Sequence, residues 1–135
     1  MEATVQYLDG VKFNVAIRGH NVLCDQPLEN KGNDAGISPP EFLLASLATC
    51  AGYYALEYLG TRMLPRKGLS VHVSAEKLKQ PARLGNFRIE VETPELEPHH
   101  EAGVLRAVKS CLIHNTLLHA PAIEVTVNAH APLAA

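Results

Sequence analysis

The sequence has no surplus of basic charge: 12 Lys and Arg stand against 14 Asp and Glu, leaving −2 with the histidines neutral. A chain so near neutrality carries no field to hold polyphosphate, which excludes nucleic acid as the default partner. Residues 1–10 show no charged-then-apolar leader, so a cytoplasmic protein is the expectation. The longest uncharged stretch, residues 42–56, is too short to span a bilayer, and no membrane partner is expected. Three cysteines, widely spaced, are too few for a disulfide-stapled secreted domain. No glycine-rich phosphate loop follows a strand, no G-x-S-x-G elbow exists, and Ser–His–Asp chemistry has no motif here. Repeats and low-complexity tracts are absent too.

What remains is globular. The 135 residues are 47% hydrophobic and 19% charged, which predicts a single domain over 1–135. Three β-like runs open the chain at 4–8, 12–18 and 21–25, the second alternating polar and apolar from Lys12 to Arg18. Asp9-Gly10 is a hairpin signal and Gly19-His20 marks a second turn. After a polar loop, Ser38-Pro39-Pro40-Glu41 reads as a capping box with proline in the first turn. It predicts a helix to about Arg62. Residues 69–78 and 86–93 alternate as half-buried strands. Residues 99–118 have helical spacing, 122–127 alternate as an edge strand, and 129–135 form a tail. The predicted fold is α+β in the order βββ-α-ββ-α-β.

The first helix is apolar on every side. Leu43, Leu47, Cys50 and Tyr54 form one stripe, and Leu44, Ala45, Ala48, Ala51, Ala55 and Leu56 occupy the other faces. One small sheet covers about one face of such a helix. The expectation is therefore a homodimer with central helices buried between outer sheets.

Spacing alone leaves the thiols open. A lone buried cysteine acts as a small hydrophobe, which suits Cys24, Cys50 and Cys111 alike. Cys111-x-x-His114 puts two metal-ligand types on one helical face, but a structural site needs four, and Cys50 has none at i+3 or i+4. No metal and no cofactor are expected.

The residues Asp25-Gln26-Pro27, the run from Ser38-Pro39-Pro40-Glu41 to Ala48-Thr49-Cys50, and Cys111-Leu112-Ile113-His114-Asn115-Thr116-Leu117 followed by Pro121 together resemble the OsmC/Ohr family, in its broader OsmC-like branch. The resemblance covers about residues 19–127. It implies an OsmC-like fold, an intertwined homodimer and oxidative-stress defence by thiol-dependent reduction of organic hydroperoxides. By motif position Cys50 is the thiol that attacks the peroxide and Cys111 the one that resolves the sulfenic acid as a disulfide, which a dithiol reductant then reopens. An apolar pocket from Leu43, Leu47 and Tyr54 would favour organic peroxides over hydrogen peroxide. Family peroxidases hold the thiolate with an arginine and a glutamate, for which Arg18 and Glu41 are the candidates. Pro40 stands where the family's glutamate aligns. The other readings are a non-catalytic dimer that binds a small apolar or electrophilic ligand at its interface, and a structural dimer with inert thiols.

Overall fold

Ser38 begins the longest element. The Glu41 carboxylate accepts hydrogen bonds from both the backbone N–H and the hydroxyl of Ser38, at 2.7 Å each, closing the expected capping box. The helix α1 then runs Pro39–Thr61 without a break. In the computed structural model, which describes residues 1–130, the architecture is mixed α+β with two antiparallel sheets and three helices.

The first sheet is a meander of β1 (Thr4–Tyr7), β2 (Phe13–Ile17) and β3 (His20–Cys24). Asp9-Gly10 does lie in the first hairpin connection, where Lys12 pairs with Asp9 at 2.9 Å. The second turn is shifted from its expected place. Arg18 and Gly19 form it, with φ of 50° and 79°, and Ile17 pairs with His20. Two successive positive φ values match the right-handed twist of the flanking strands, so His20 already belongs to β3.

The second sheet is one long hairpin, β4 (Ser70–Lys79) and β5 (Ala82–Glu92). Its turn is only Gln80-Pro81. The second strand therefore begins four residues before the expected 86, with Lys77 opposite Leu84 and Glu76 opposite Gly85. α1 lies against this hairpin. Its buried line is Leu47, Ala51, Ala55 and Leu59, one residue per turn. Ala51, Ala55 and Leu59 form the core with Val104 and Val108, flanked by Val71, Ile89 and Val91. Each fully buried leucine contributes roughly 1.5–3 kcal/mol relative to exposure. By length and composition α1 could cross a bilayer, but here it is the helix around which the core is packed.

The expected helix 99–118 is two helices, α2 (Glu101–Lys109) and α3 (Leu112–Leu118). Ser110 turns its hydroxyl back to the Arg106 carbonyl at 3.2 Å, and Cys111 takes an extended conformation with φ −57° and ψ 132°. α2 approaches α1 closely because Gly103 has no side chain; a Cβ there would enter the ring and hydroxyl of Tyr58. The last expected strand, 122–127, does not form, and no sheet edge pairs with it. Ile123, Val125 and Val127 stay 80–86% exposed. Of the expected tail, residues 131–135 lie outside the described residues.

Candidate functional site

Two breaks in regularity bring the site together. The first is the kink between α2 and α3, which turns Cys111 inward to complete burial. The second is the position of Cys50, beside the buried line of α1 and half open to solvent. The Cys50 and Cys111 thiols lie near enough for each to affect the other. Both are free thiols. Burial pushes the Cys111 thiol above its ordinary value, and the contact with Cys50 pushes it further. The backbone N–H groups of His114 and Ile113 point at the same sulfur and partly offset that rise.

A cleft of about 1140 Å³ is walled by Leu47, Phe87, Ile89, Val104 and Leu117. Of the three residues expected to form an apolar pocket, Leu47 lines this cleft and Leu43 and Tyr54 do not. Tyr54 sits edge-on to Tyr53, their ring centres 5.6 Å apart. Neither thiol lines the cleft, but Leu47, three residues before Cys50, and His114, three after Cys111, do.

The other two candidates lie elsewhere in the chain. Glu41 is nine residues before Cys50, roughly 13 Å along the helix axis. Its carboxylate is occupied by Ser38, and those two bonds hold its pKa below the usual range, with burial opposing. Arg18 sits exposed at the β2–β3 hairpin tip and has no ion pair or hydrogen bond among the described residues. Pro40 is half-buried in the first turn of α1.

Asp25 does structural work that the motif did not reveal. It is 1% exposed, and its carboxylate accepts from the N–H groups of Gln26, Asn33 and Ala35 at 2.8–3.0 Å. Burial pushes its pKa up, but the three N–H donors and Lys12 outweigh that, and the net value falls below the ordinary one. Asp25 thereby pins the loop that leads into α1. Cys24 beside it is buried and bridges to Ile37, away from any other thiol contact.

His114 is the residue whose place here spacing alone did not indicate. Its Nδ1 is buried and has no hydrogen-bond partner. The C-x-x-H spacing drew attention to it as a metal ligand. Among the described residues, however, no three His, Cys, Asp or Glu side chains gather closely enough to hold an ion.

Residues 32–126 match the family model described as OsmC-like protein. No curated protein matches the sequence significantly. Among solved structures, the chain is similar to the OsmC like protein from Mycoplasma pneumoniae, with 21% identity over 88% of this chain and 87% of that one and a TM-score of 0.72. It is similar also to the organic hydroperoxide resistance protein OsmC from Legionella pneumophila (14% identity, 87% and 89% covered, TM-score 0.65). A third is the organic hydroperoxide resistance protein OhrB of Bacillus subtilis (15% identity, 86% and 90% covered, TM-score 0.60). At these identities the likeness establishes the fold.

Proposed function

The chain belongs to the family of OsmC-like proteins, and from that premise we propose that it is a thiol-dependent reductase of organic hydroperoxides. The observation that carries the reading is the contact between Cys50 and Cys111, with Cys50 the more open of the two. Two solved neighbours bear the name organic hydroperoxide resistance, which supports a peroxide-related role.

In this reading the Cys50 thiolate takes the distal oxygen of the peroxide. An S–O bond forms, the O–O bond breaks, and the alkoxide leaves to become the alcohol. Cys50, now a sulfenic acid, has lost two electrons. The Cys111 sulfur attacks it; an S–S bond forms, and the departing hydroxide leaves as water with the Cys111 proton. An external dithiol reopens the disulfide and is itself oxidised. Because Cys111 already touches Cys50, the sulfenic acid has a resolving partner before a second peroxide can reach it. Burial keeps Cys111 protonated and unreactive until then.

The functional unit in this reading is an intertwined homodimer. The first sheet leaves Val5, Tyr7, Ile17 and Val22 exposed, and α1 leaves Tyr53 and Leu56 bare. This many large apolar side chains left bare on a folded chain support an interface. Arg18 and Glu41 make no approach to Cys50 within one chain, so a thiolate-holding role for either requires the second copy. Sedimentation equilibrium tests the assembly: the wild type should be dimeric and Tyr53→Glu shifted toward monomer.

The decisive experiment is consumption of cumene hydroperoxide with a dithiol reductant. Cys50→Ser should fall to the rate of the dithiol alone. Cys111→Ser should complete one turnover and then stall. Wild-type rates in Cys50→Ser would remove the mechanism. The large apolar cleft favours a second reading, a non-catalytic dimer that binds a small apolar ligand. That reading requires a ligand that raises the melting temperature of a protein with no turnover.

A further inference from the structure

Tyr58 on α1 lies against Gly103 on α2, where a Cβ would overlap its hydroxyl and ring. Cys50 stands eight residues before Tyr58, and Cys111 stands eight residues after Gly103. The two helices therefore run antiparallel, and the Tyr58–Gly103 contact and the thiol pair are the two ends of one frame. Along α1 the ends are about 12 Å apart. Between them Ala51, Ala55, Leu59, Val104 and Val108 hold the helices together. Apolar burial is non-directional, so on its own it does not fix how deep α2 sits or how far it slides. The Tyr58 ring supplies that definition. Its hydroxyl and His100 Nδ1 are hydrogen-bonded at 3.1 Å, and the Arg62 guanidinium lies 3.9 Å from the ring centre. A side chain with two torsions, held at its tip and on its face, is a rigid spacer.

We propose that Tyr58 is a positioning residue for the thiol pair: its ring, seated in the gap left by Gly103, sets the depth and register of α2 at which Cys111 meets Cys50. The proposal rests on the peroxidase reading for the use made of the pair. Cys111 moves with α2, because its N–H donates to the Val108 carbonyl at 3.0 Å across the break at Ser110. A displacement at Gly103 is therefore carried to the Cys111 sulfur. The geometry that closes a disulfide is narrow, with Cβ atoms about 3.5–4.5 Å apart. A misplacement of about 1 Å between reacting groups costs on the order of 100-fold in rate. A spacer two turns away on α1 thus has leverage on the resolving step without approaching either sulfur.

Equilibrium with glutathione tests it without any peroxide. The full chain is held in mixtures of reduced and oxidised glutathione, quenched, alkylated, and the Cys50–Cys111 disulfide counted by mass. The Cys50 sulfur attacks oxidised glutathione, and one glutathione thiolate leaves. The Cys111 sulfur then attacks the mixed disulfide at Cys50; the internal S–S bond forms and a second glutathione leaves. Two protein thiols are oxidised as one glutathione disulfide is reduced, and the equilibrium constant is the effective concentration of the pair. Gly103→Ala should lower it by about tenfold or more. Tyr58→Leu combined with Gly103→Ala, which trims the ring to seat the new methyl, should return it to within about threefold of wild type. Tyr58→Trp, an enlarged spacer against the native glycine, should repeat the loss, so the result does not depend on one variant folding. Leu59→Ala loosens the same core without altering the spacer, and should lower the melting temperature while the effective concentration stays within about threefold. No loss in folded Gly103→Ala or Tyr58→Trp would overturn the proposal, because the ring would then yield and α2 would not. A loss that the double variant fails to rescue, or an equal loss in Leu59→Ala, would overturn it too. A wild type that forms no such disulfide would instead remove Cys111 as the resolving thiol, and the peroxidase mechanism with it.

Discussion

The two sheets are built from the same kind of sequence and end in opposite situations. β4 and β5 alternate apolar and polar residues, and α1 covers their apolar side, leaving Val71, Ile89 and Val91 packed against the core. β2 alternates just as cleanly between β1 and β3, yet among the described residues no helix packs over that sheet as α1 packs over the hairpin. Val5 and Tyr7 are 54% and 64% exposed. Alternation therefore states that a face will be covered and leaves open what covers it. For the hairpin, the cover is α1, which ends nine residues before β4 begins. For the meander, no helix among the described residues supplies it. The thiol pair is built wholly in the half that supplies its own core, on α1 and at the α2–α3 kink.

The largest effect should separate those halves. Leu59 is fully buried in the core, so Leu59→Ala should cost about 2–5 kcal/mol in urea unfolding. Val22 is exposed on the meander, and Val22→Ala in dilute protein should stay within about 0.5 kcal/mol. In the proposed dimer, raising the protein concentration should enlarge the Val22 effect and leave the Leu59 effect alone, since Leu59 lies in the core of a single chain. Equal effects at all concentrations would erase the distinction.

Asp25 is the joint between the halves, and its test is pH. Its folded pKa is lowered, so the stability it contributes is present above the ordinary aspartate value of about 3.9 and is lost as pH falls through the lower folded value. Hydrogen exchange at the amides of Asn33 and Ala35 should accelerate in that acid window. In Asp25→Asn those amides should exchange quickly at neutral pH already, with the acid step gone. Protection unchanged in the variant would mean that the loop is held by something else.

The contrast also explains what the sequence made legible. The Asp9-Gly10 turn, the alternation of β2, β4 and β5 and the Ser38–Glu41 box act through neighbours a few residues apart, and these appear in the fold. The break at Ser110-Cys111 was not legible, because it serves a contact with Cys50 far along the chain. Gly85 reads as the end of the connecting loop, yet it pairs with Glu76 within the hairpin, and Asn86 after it sits at the bulge, its amide donating to the Glu76 carboxylate. Residues 122–127 have a strand's pattern without an edge to join. The pairing of Cys50 with Cys111 came from the resemblance and not from spacing, which left each thiol as core filler. The unpartnered ring nitrogen of His114 has no signature in one dimension at all.

Smaller effects refine the picture within the self-sufficient half. Ser38→Ala removes the hydroxyl from the capping box at the start of α1 and should cost about 1 kcal/mol in thermal or urea unfolding. Peroxide turnover per folded molecule should not change, since the box is two and a half turns from Cys50. A matching loss of turnover would mean that the first turn of α1, Glu41 included, reaches the thiol after all.

The smallest effect belongs to Cys24, and its smallness is the point. Cys24 is as buried as a core residue, in the half without a helix. Burial raises its pKa first and the charge of Asp25 raises it again, so at neutral pH it is held as the inert thiol. Cys50 differs in being half open and in touching a second sulfur. Iodoacetamide on the native protein should therefore modify Cys50 fastest, with Cys24 and Cys111 protected until denaturant is added. Cys24→Ala should leave the hydroperoxide rate within about twofold of wild type. A loss as large as that of Cys50→Ser would show that thiol chemistry is not confined to the half that builds its own core.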